Sequence, residues 1–239
     1  MSDNVHVSVV IPVYNNIQYT VQAVNAVFLH TEDFEIIVVN NGSHDGTFGY
    51  LNDAAKLVQP SGRFQVIHNE KNEGFAKAIN QGIAIARGEF IAIVNNDVLV
   101  TPGWVSQMVR AKEIIEKTGQ VGKVGVIGPA SNYVARRQAV PNIRYDLADL
   151  DNVARRFHKS NKDNLLSTGY LSGFCMLITR ELLNQIGHLD EAFGFGGYED
   201  NDFVLRALRA GFKAIIAGDT FVHHFGSRTL DMDTFRPLR

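Results

Sequence analysis

The sequence predicts an α/β protein built on a doubly wound, largely parallel sheet flanked by helices, and three observations carry that expectation. Strand-like and helix-like segments alternate through the first half of the 239 residues, as they do in successive βαβ units. Several apolar runs are continuous rather than alternating, which suits strands buried on both faces. Those runs break into polar or glycine-containing loops, where the strands of an open sheet reach a surface.

Composition sets the limits. Hydrophobic residues make up 45% of the chain, enough for the core of one large α/β domain. A net charge of −2 gives no electrostatic case for nucleic acid or an anionic membrane surface. The single Cys175 leaves no internal disulfide and no thiolate metal cluster, which is compatible with a reducing compartment. No apolar run reaches the roughly 18 residues of a membrane-crossing helix, and the N-terminus lacks a signal-peptide pattern. The expectation is a soluble, cytoplasmic protein with a single domain over 1–239.

The elements follow in order. Val5 to Val13 is a β-branched strand closed by Pro12, with Tyr14-Asn15-Asn16 as the turn. Ile17, Val21, Val24, Val27 and Phe28 recur at helical spacing, and Asn15 or Asn16 can cap that helix. Phe34 to Val39 is a second strand running into the polar loop from Asn40 to Thr47, before a helix over Phe48 to Val58 and a strand over Phe64 to His68. Phe75, Ala78, Ile79, Gly82, Ile83 and Ala86 describe another amphipathic helix. Phe90 to Val94 is then a buried strand breaking at Asn95-Asn96-Asp97. Trp104 to Thr118 reads as a helix packed on the sheet, and Val124 to Ile127 as a strand ended by Gly128-Pro129. The weakly periodic stretch from Ser131 to Ser167 predicts loops and short helices. Strand character returns over Thr168 to Thr179, with Cys175 as core. A short helix follows over Arg180 to Ile186, then a glycine-rich aromatic segment to Tyr198, a helix over Glu199 to Ala210, and two short strands at Phe212 to Ala217 and Thr220 to Val222.

Three polar clusters carry chemistry. Pro12-Val13-Tyr14-Asn15 and Asn40-Asn41-Gly42-Ser43-His44-Asp45 end the first two strands and form a crevice suited to a nucleoside, although Ser43 and Asp45 can equally cap the next helix. Neither a Gly-x-Gly-x-x-Gly nor a Gly-Lys-Ser loop is present, which weakens dinucleotide and P-loop readings. Glu199-Asp200-Asn201-Asp202 opens a helix whose dipole favours ionised carboxylates, and the flexible approach before it suits a site that closes over a substrate. Asp202 and Arg206 sit four apart and read as a structural pair. His223-His224 follows an apolar strand, so that one imidazole points inward. One imidazole with the Asp97 carboxylate suits Mn²⁺ or Mg²⁺ carried with a diphosphate, and is too few ligands for structural zinc. Arg136-Arg137 and Arg155-Arg156 read as solvated charges, with a phosphate-bearing or lipid-linked acceptor as their alternative use.

These blocks resemble a family 2 inverting glycosyltransferase with the GT-A fold, closest in style to the rhamnosyltransferase-like branch. The likeness rests on Val9 to Asn15, Val38 to Thr47, Asn69-Glu70-Lys71-Asn72-Glu73-Gly74-Phe75-Ala76, Asn95-Asn96-Asp97, Gly197-Tyr198-Glu199-Asp200-Asn201-Asp202 and His223-His224-Phe225-Gly226-Ser227, in this order. It implies a nucleotide-binding half at about 1–98 and an acceptor-binding half at about 99–239. It places the nucleotide-sugar at Pro12, Tyr14, Asn15, Asn40, Asp45, Asn72, Gly74, Asn95, Asn96 and Asp97. It implies a divalent cation, Mn²⁺ or Mg²⁺, on Asp97 and His224, the latter chosen over His223 by its interval from Gly211. Asp200 matches the catalytic base, and Glu199 the neighbour that helps place the acceptor.

Asn40 and Asn95 stand where the family most often has aspartates, which leaves a UDP-, dTDP- or GDP-sugar open as donor. The acceptor is a hydroxyl of a glycan, a lipid-linked glycan or a protein, with polysaccharide biosynthesis as the setting. The inner face of a membrane is allowed as a location, and so is a place in a larger protein. The alternatives are a catalytically silent nucleotide-sugar binding module and, behind it, a sugar nucleotidyltransferase. The latter lacks a glycine-rich, basic triphosphate loop after the first strand.

Overall fold

The computed structural model describes residues 7–58, 62–119 and 122–226. Val5, His6 and the tail from Ser227 onward lie outside the described residues. The elements are β1 (Val7–Val13), α1 (Ile17–His30), β2 (Phe34–Asn41), α2 (Thr47–Val58), β3 (Phe64–Asn69), α3 (Phe75–Ile85), β4 (Phe90–Val94), β5 (Val98–Leu99), α4 (Trp104–Lys117), β6 (Val124–Ser131), α5 (Leu150–Ser160), β7 (Leu165–Thr168), β8 (Cys175–Thr179), α6 (Arg180–Ile186), α7 (Glu199–Arg209) and β9 (Lys213–His224).

The strands form one 9-stranded sheet in the order β3-β2-β1-β4-β8-β6-β9-β5, with β7 also paired to β9. β3, β2, β1, β4, β6 and β9 run one way, and β8, β7 and β5 run against them. Alternate residues of the central strands feed two cores. Val9, Ile11, Val38 and Ala92 pack with Val24, Trp104 and Met108 on one face, while Val10, Ile37, Ile91 and Ile93 pack with Ile79, Leu182 and Phe203 on the other. Trp104 is fully buried and donates its indole N–H to the Thr31 hydroxyl at 3.0 Å.

At the amino ends of β1 and β2, Glu35 accepts hydrogen bonds from the Ser8 hydroxyl at 2.6 Å and from the Arg87 amide at 2.7 Å. The Arg87 guanidinium reaches its second oxygen at 2.9 and 2.7 Å. At the opposite end the sheet opens. The β1–β4 ladder stops at Val10↔Ile93, whereas the β1–β2 ladder continues to Val13↔Asn40, so β1 and β4 part at their carboxyl ends. Strand order reverses direction at this point, which is where open α/β sheets bind ligands.

Several expectations are corrected. β6 does not end at Gly128-Pro129 but runs to Ser131, with Pro129 in register with Ala217. The two strands expected after Phe212 are one, β9, because residues 218–220 bulge between Ala217 and Phe221 instead of ending the pairing. The Gly218 amide in that bulge donates to the Asn164 carbonyl at 2.9 Å. The stretch taken as loops and short helices contains the 11-residue α5, which buries Leu150 and Ala154, and also β7. Strand character over Thr168 to Thr179 is confined to its ends, with a turn over 169–174 between β7 and β8. Neither Asn15 nor Asn16 caps α1 with its side chain. The Ile17 amide is satisfied from across the crevice by Asp45 at 2.9 Å.

Candidate functional site

The carboxyl ends of β1 and β2 are tied into one unit by asparagines. Asn15 and Asn16 both take left-handed backbone, at φ 56° and 61°, a conformation Asn tolerates. The Asn15 amide donates to the Ser43 hydroxyl at 2.8 Å, and its side-chain oxygen accepts from the His44 amide at 2.8 Å. Asp45 accepts from the Ile17 amide and, at 2.6 Å, from the Thr47 hydroxyl. Burial pushes the Asp45 carboxyl up, but these donors outweigh it and hold it below its ordinary range. Pro12 is buried in β1, and Tyr14 meets the His44 ring edge-on.

Asn40 is buried, with its side-chain N–H₂ on His68 Nδ1 at 3.0 Å and its oxygen on the Ser43 amide at 3.1 Å. The donor on Asn40 fixes a lone pair on His68 Nδ1, so the neutral imidazole carries its proton on Nε2. Beside this pair a cleft of about 310 Å³ is lined by Asn40, Ser43, His44, Phe48, His68 and Asn69, among others. The Phe48 ring leans on His68 at 4.3 Å.

Asn72 accepts from Asn41 at 2.8 Å and from the Gly74 amide at 3.0 Å, so its described contacts brace the loop. Gly74, at φ 93°, lies so close to the next loop that an added Cβ would sit 2.3 Å from the Gly194 carbonyl oxygen. That contact seats the segment carrying exposed Phe195 and Tyr198 against the loop before α3.

Asp97 and His224 meet because β5 pairs with β9, setting Val98 opposite His224. His224 Nδ1 lies 2.7 Å from the Tyr133 carbonyl, an acceptor only, so Nδ1 carries a proton and Nε2 faces the carboxylate. Nε2 and Asp97 Oδ1 are 3.2 Å apart. Nε2 is buried and has no hydrogen-bond partner among the described residues. In the neutral imidazole that nitrogen is a lone pair facing a carboxylate oxygen, and a divalent cation with oxygen and imidazole preferences fits the pair. Phe174 stacks on the imidazole at 5.0 Å and fixes its plane.

His223 points the other way along the strand, with Nδ1 2.6 Å from the Tyr145 hydroxyl, and burial pushes it down to about 4. No cluster of three or more His, Cys, Asp and Glu side chains arranged for a metal occurs among the described residues, so a cation there would take its remaining ligands from substrate or water. Asn95 donates its amide to the Phe174 carbonyl at 2.9 Å. Asn96 is turned inward, donating to the Thr20 hydroxyl at 3.0 Å.

Asp200, in the first turn of α7, accepts from the Gly173 amide at 2.8 Å and the Asn201 amide at 2.7 Å. Gly173 precedes Phe174, so one dipeptide touches both the carboxylate of Asp200 and the ring of His224. Glu199 is buried, and its Oε2 has no hydrogen-bond partner among the described residues. Burial and the neighbouring Asp200 push its carboxyl above the usual range.

Residues 8–187 match the family described as Glycosyl transferase family 2. The chain belongs to that family.

Among relatives of this family 2 chain, the glycosyltransferase GlyG of Streptococcus pneumoniae serotype 4 (strain ATCC BAA-334 / TIGR4) is 36% identical over 128 residues. That match covers 53% of this chain and 40% of GlyG, so the chain spans less than half the length of this relative. A mannosyltransferase, PcManGT of Pyrobaculum calidifontis, solved with GDP-Man and Mn²⁺, superposes with a TM-score of 0.66 at 19% identity, over 95% of this chain and 59% of that one. GalNAc-T7 with UDP, GalNAc and Mn²⁺ gives 0.70 at 17% identity, over 94% and 44%. At such identities the likeness establishes the GT-A fold.

Phe48, His68, Tyr133, Gly173 and Phe174 were not singled out in the sequence of this family 2 member. Each acts through a partner remote in sequence.

Proposed function

We propose that the chain is an inverting, metal-assisted glycosyltransferase domain that moves a sugar from a nucleotide-diphospho-sugar to an acceptor hydroxyl. The observation that carries this reading is the Gly173-Phe174 dipeptide, which holds Asp200 on one side and the Asp97–His224 pair on the other. The solved neighbours with GDP-Man or UDP and Mn²⁺ support the donor class and the cation.

The nucleoside lies across the ends of β1 and β2, with its base in the cleft of Asn40, Phe48 and His68. Asp97 and His224 are the residues that would hold Mn²⁺ or Mg²⁺. When bound, the cation supplies charge neutralisation of the diphosphate as it leaves. Asp200 accepts the proton of the acceptor hydroxyl as that oxygen attacks the anomeric carbon opposite the diphosphate. Its two N–H donors fix the carboxylate's direction, and Glu199 shapes the acceptor side. A single displacement inverts the anomeric configuration, and the asparagines at 40 and 95 take part in donor choice. One domain over 1–239, with donor and acceptor halves meeting near residue 98, is the organisation consistent with these roles.

Calorimetry with UDP, dTDP and GDP plus Mn²⁺, followed by nucleotide release from a panel of activated sugars, tests the reading. Asp200→Asn is expected to keep nucleotide affinity while transfer falls about a hundredfold or more. Transfer within a few-fold of wild type removes Asp200 as base, and binding without turnover in the wild type makes the chain a binding module.

A further inference from the structure

We propose, on the glycosyltransferase reading above, that the pocket lined by Arg136 and Arg137, joined to Asp200 through Gln138 and the Ser172-Gly173 backbone, receives an acceptor carrying an oxyanion, a phosphate ester or a uronate carboxylate, gripped by the two arginines. The pocket holds about 410 Å³ and is lined by these two arginines with Gln138, Thr168, Tyr170 and Ile216, among others. Both arginines are exposed, and no described carboxylate forms an ion pair with either, whereas Arg87, Arg156 and Arg206 each have one and Arg110 has two. The Arg136 guanidinium lies over the Tyr170 ring at 4.1 Å, which orients the planar fork while leaving its N–H edge for a ligand.

The turn that presents them is fixed rather than loose. Arg136 takes left-handed backbone, φ 60°, a conformation a non-glycine residue adopts only when the surrounding structure holds it there. Gln138, 1% exposed, anchors the turn, donating to the Pro129 carbonyl at 2.9 Å and accepting from the Ser172 amide at 2.9 Å. The next amide, that of Gly173, donates to Asp200. Successive peptide groups therefore brace the arginine turn and the base against each other. Tyr170, whose ring carries the Arg136 guanidinium, precedes by three residues the Gly173 amide that binds Asp200, so one turn links the positive edge of the pocket to the base.

The diphosphate already has a place at Asp97 and His224, and the group next to the base is the acceptor. Two guanidinium groups without an ion pair there favour a carboxylate or phosphate, which they can bind with two parallel charge-assisted hydrogen bonds, over a neutral hydroxyl.

The test is calorimetry on the wild type in the presence of Mn²⁺ and the nucleotide diphosphate that binds it, with glycerol phosphate, glucuronate and neutral glucose as probes. At least one anionic probe is expected to bind, glucose is not, and Arg136→Gln/Arg137→Gln is expected to weaken the anion at least about tenfold. Nucleotide affinity and thermal midpoint should not change. Which anion binds tells phosphate from carboxylate, and the double Lys variant, which keeps charge without the fork, should lose less. Neither anion binding the wild type overturns the proposal, as does equal binding by the Gln variant. A Gln variant that loses nucleotide affinity also overturns it, because the arginines then serve the donor. Failure of the wild type to bind any nucleotide diphosphate refutes the glycosyltransferase reading itself, a result separate from loss of the anion alone.

Discussion

Gly173 has no chemistry of its own, yet the carboxylate of Asp200, the proposed base, depends on it. An added Cβ would lie 3.1 Å from the Asp200 Cβ, closer than side chains normally approach. Gly173→Ala should therefore turn the carboxylate away from its line of attack, lowering kcat about tenfold while nucleotide affinity holds, as read by steady-state kinetics and calorimetry. Glu199 gives a second test through pH. Its carboxyl is held above the ordinary range in the folded protein, so the fold binds a proton that the unfolded chain has already released. Its contribution to stability is then fully present below the ordinary Glu value of 4.5 and is lost as pH rises from there through the raised value. Each tenfold difference in proton affinity is worth about 1.4 kcal/mol, and urea unfolding of Glu199→Gln should lack that decline. Asp97, Asp200 and the imidazole pair were legible in the sequence because each stands where a buried strand ends or a helix begins. Gly173, Phe174 and Tyr133 were not, since a glycine amide or a carbonyl leaves no mark in composition.

At the scale of elements, the amino-terminal edge of the sheet carries its own brace. Glu35 is 1% exposed and joins β1, β2 and the turn after α3 through Ser8 and Arg87. Burial pushes its carboxyl up, but the hydrogen bonds from Ser8 and Arg87 prevail and hold it below its ordinary value. That stability is present above the ordinary Glu range and is lost as pH falls through the lowered value. Glu35→Ala should cost about 2–3 kcal/mol at neutral pH in urea unfolding, below the 3–5 of a fully buried pair because the Arg87 side chain is 64% exposed. The variant should also lose the acid-dependent part of the curve.

The first four strands and their helices were legible because local period and turn chemistry agree there. Beyond residue 124, Gly128-Pro129 and Gly218-Asp219 read as stops, yet neighbouring strands hold both inside long strands. Pairing across the sheet overrode the local signal.

For the whole molecule, a ligand that bridges distant residues should stabilise all of it. With Mn²⁺ and its nucleotide diphosphate at 100 times the dissociation constant, the fold should gain about 2.7 kcal/mol, a rise of roughly 5 °C or more in Tm. His224→Ala should abolish most of the part due to Mn²⁺. The α/β class and GT-A likeness were legible across the chain because the motif blocks keep their order, whereas β5 was invisible, two residues long and defined only by its partner. That small pairing has a consequence in time. β1, β2, β3 and β4 come from the first part of the chain and close short crossovers, so they can assemble while the rest is still being made. Val98 finds its partner only in the last described strand. The amide of Phe225, bonded to the Asp97 carbonyl, should accordingly gain exchange protection late in refolding. A nascent chain would carry Asp97 long before the imidazole arrives opposite it, and the proposed metal pair would stay incomplete until that last described strand is in place.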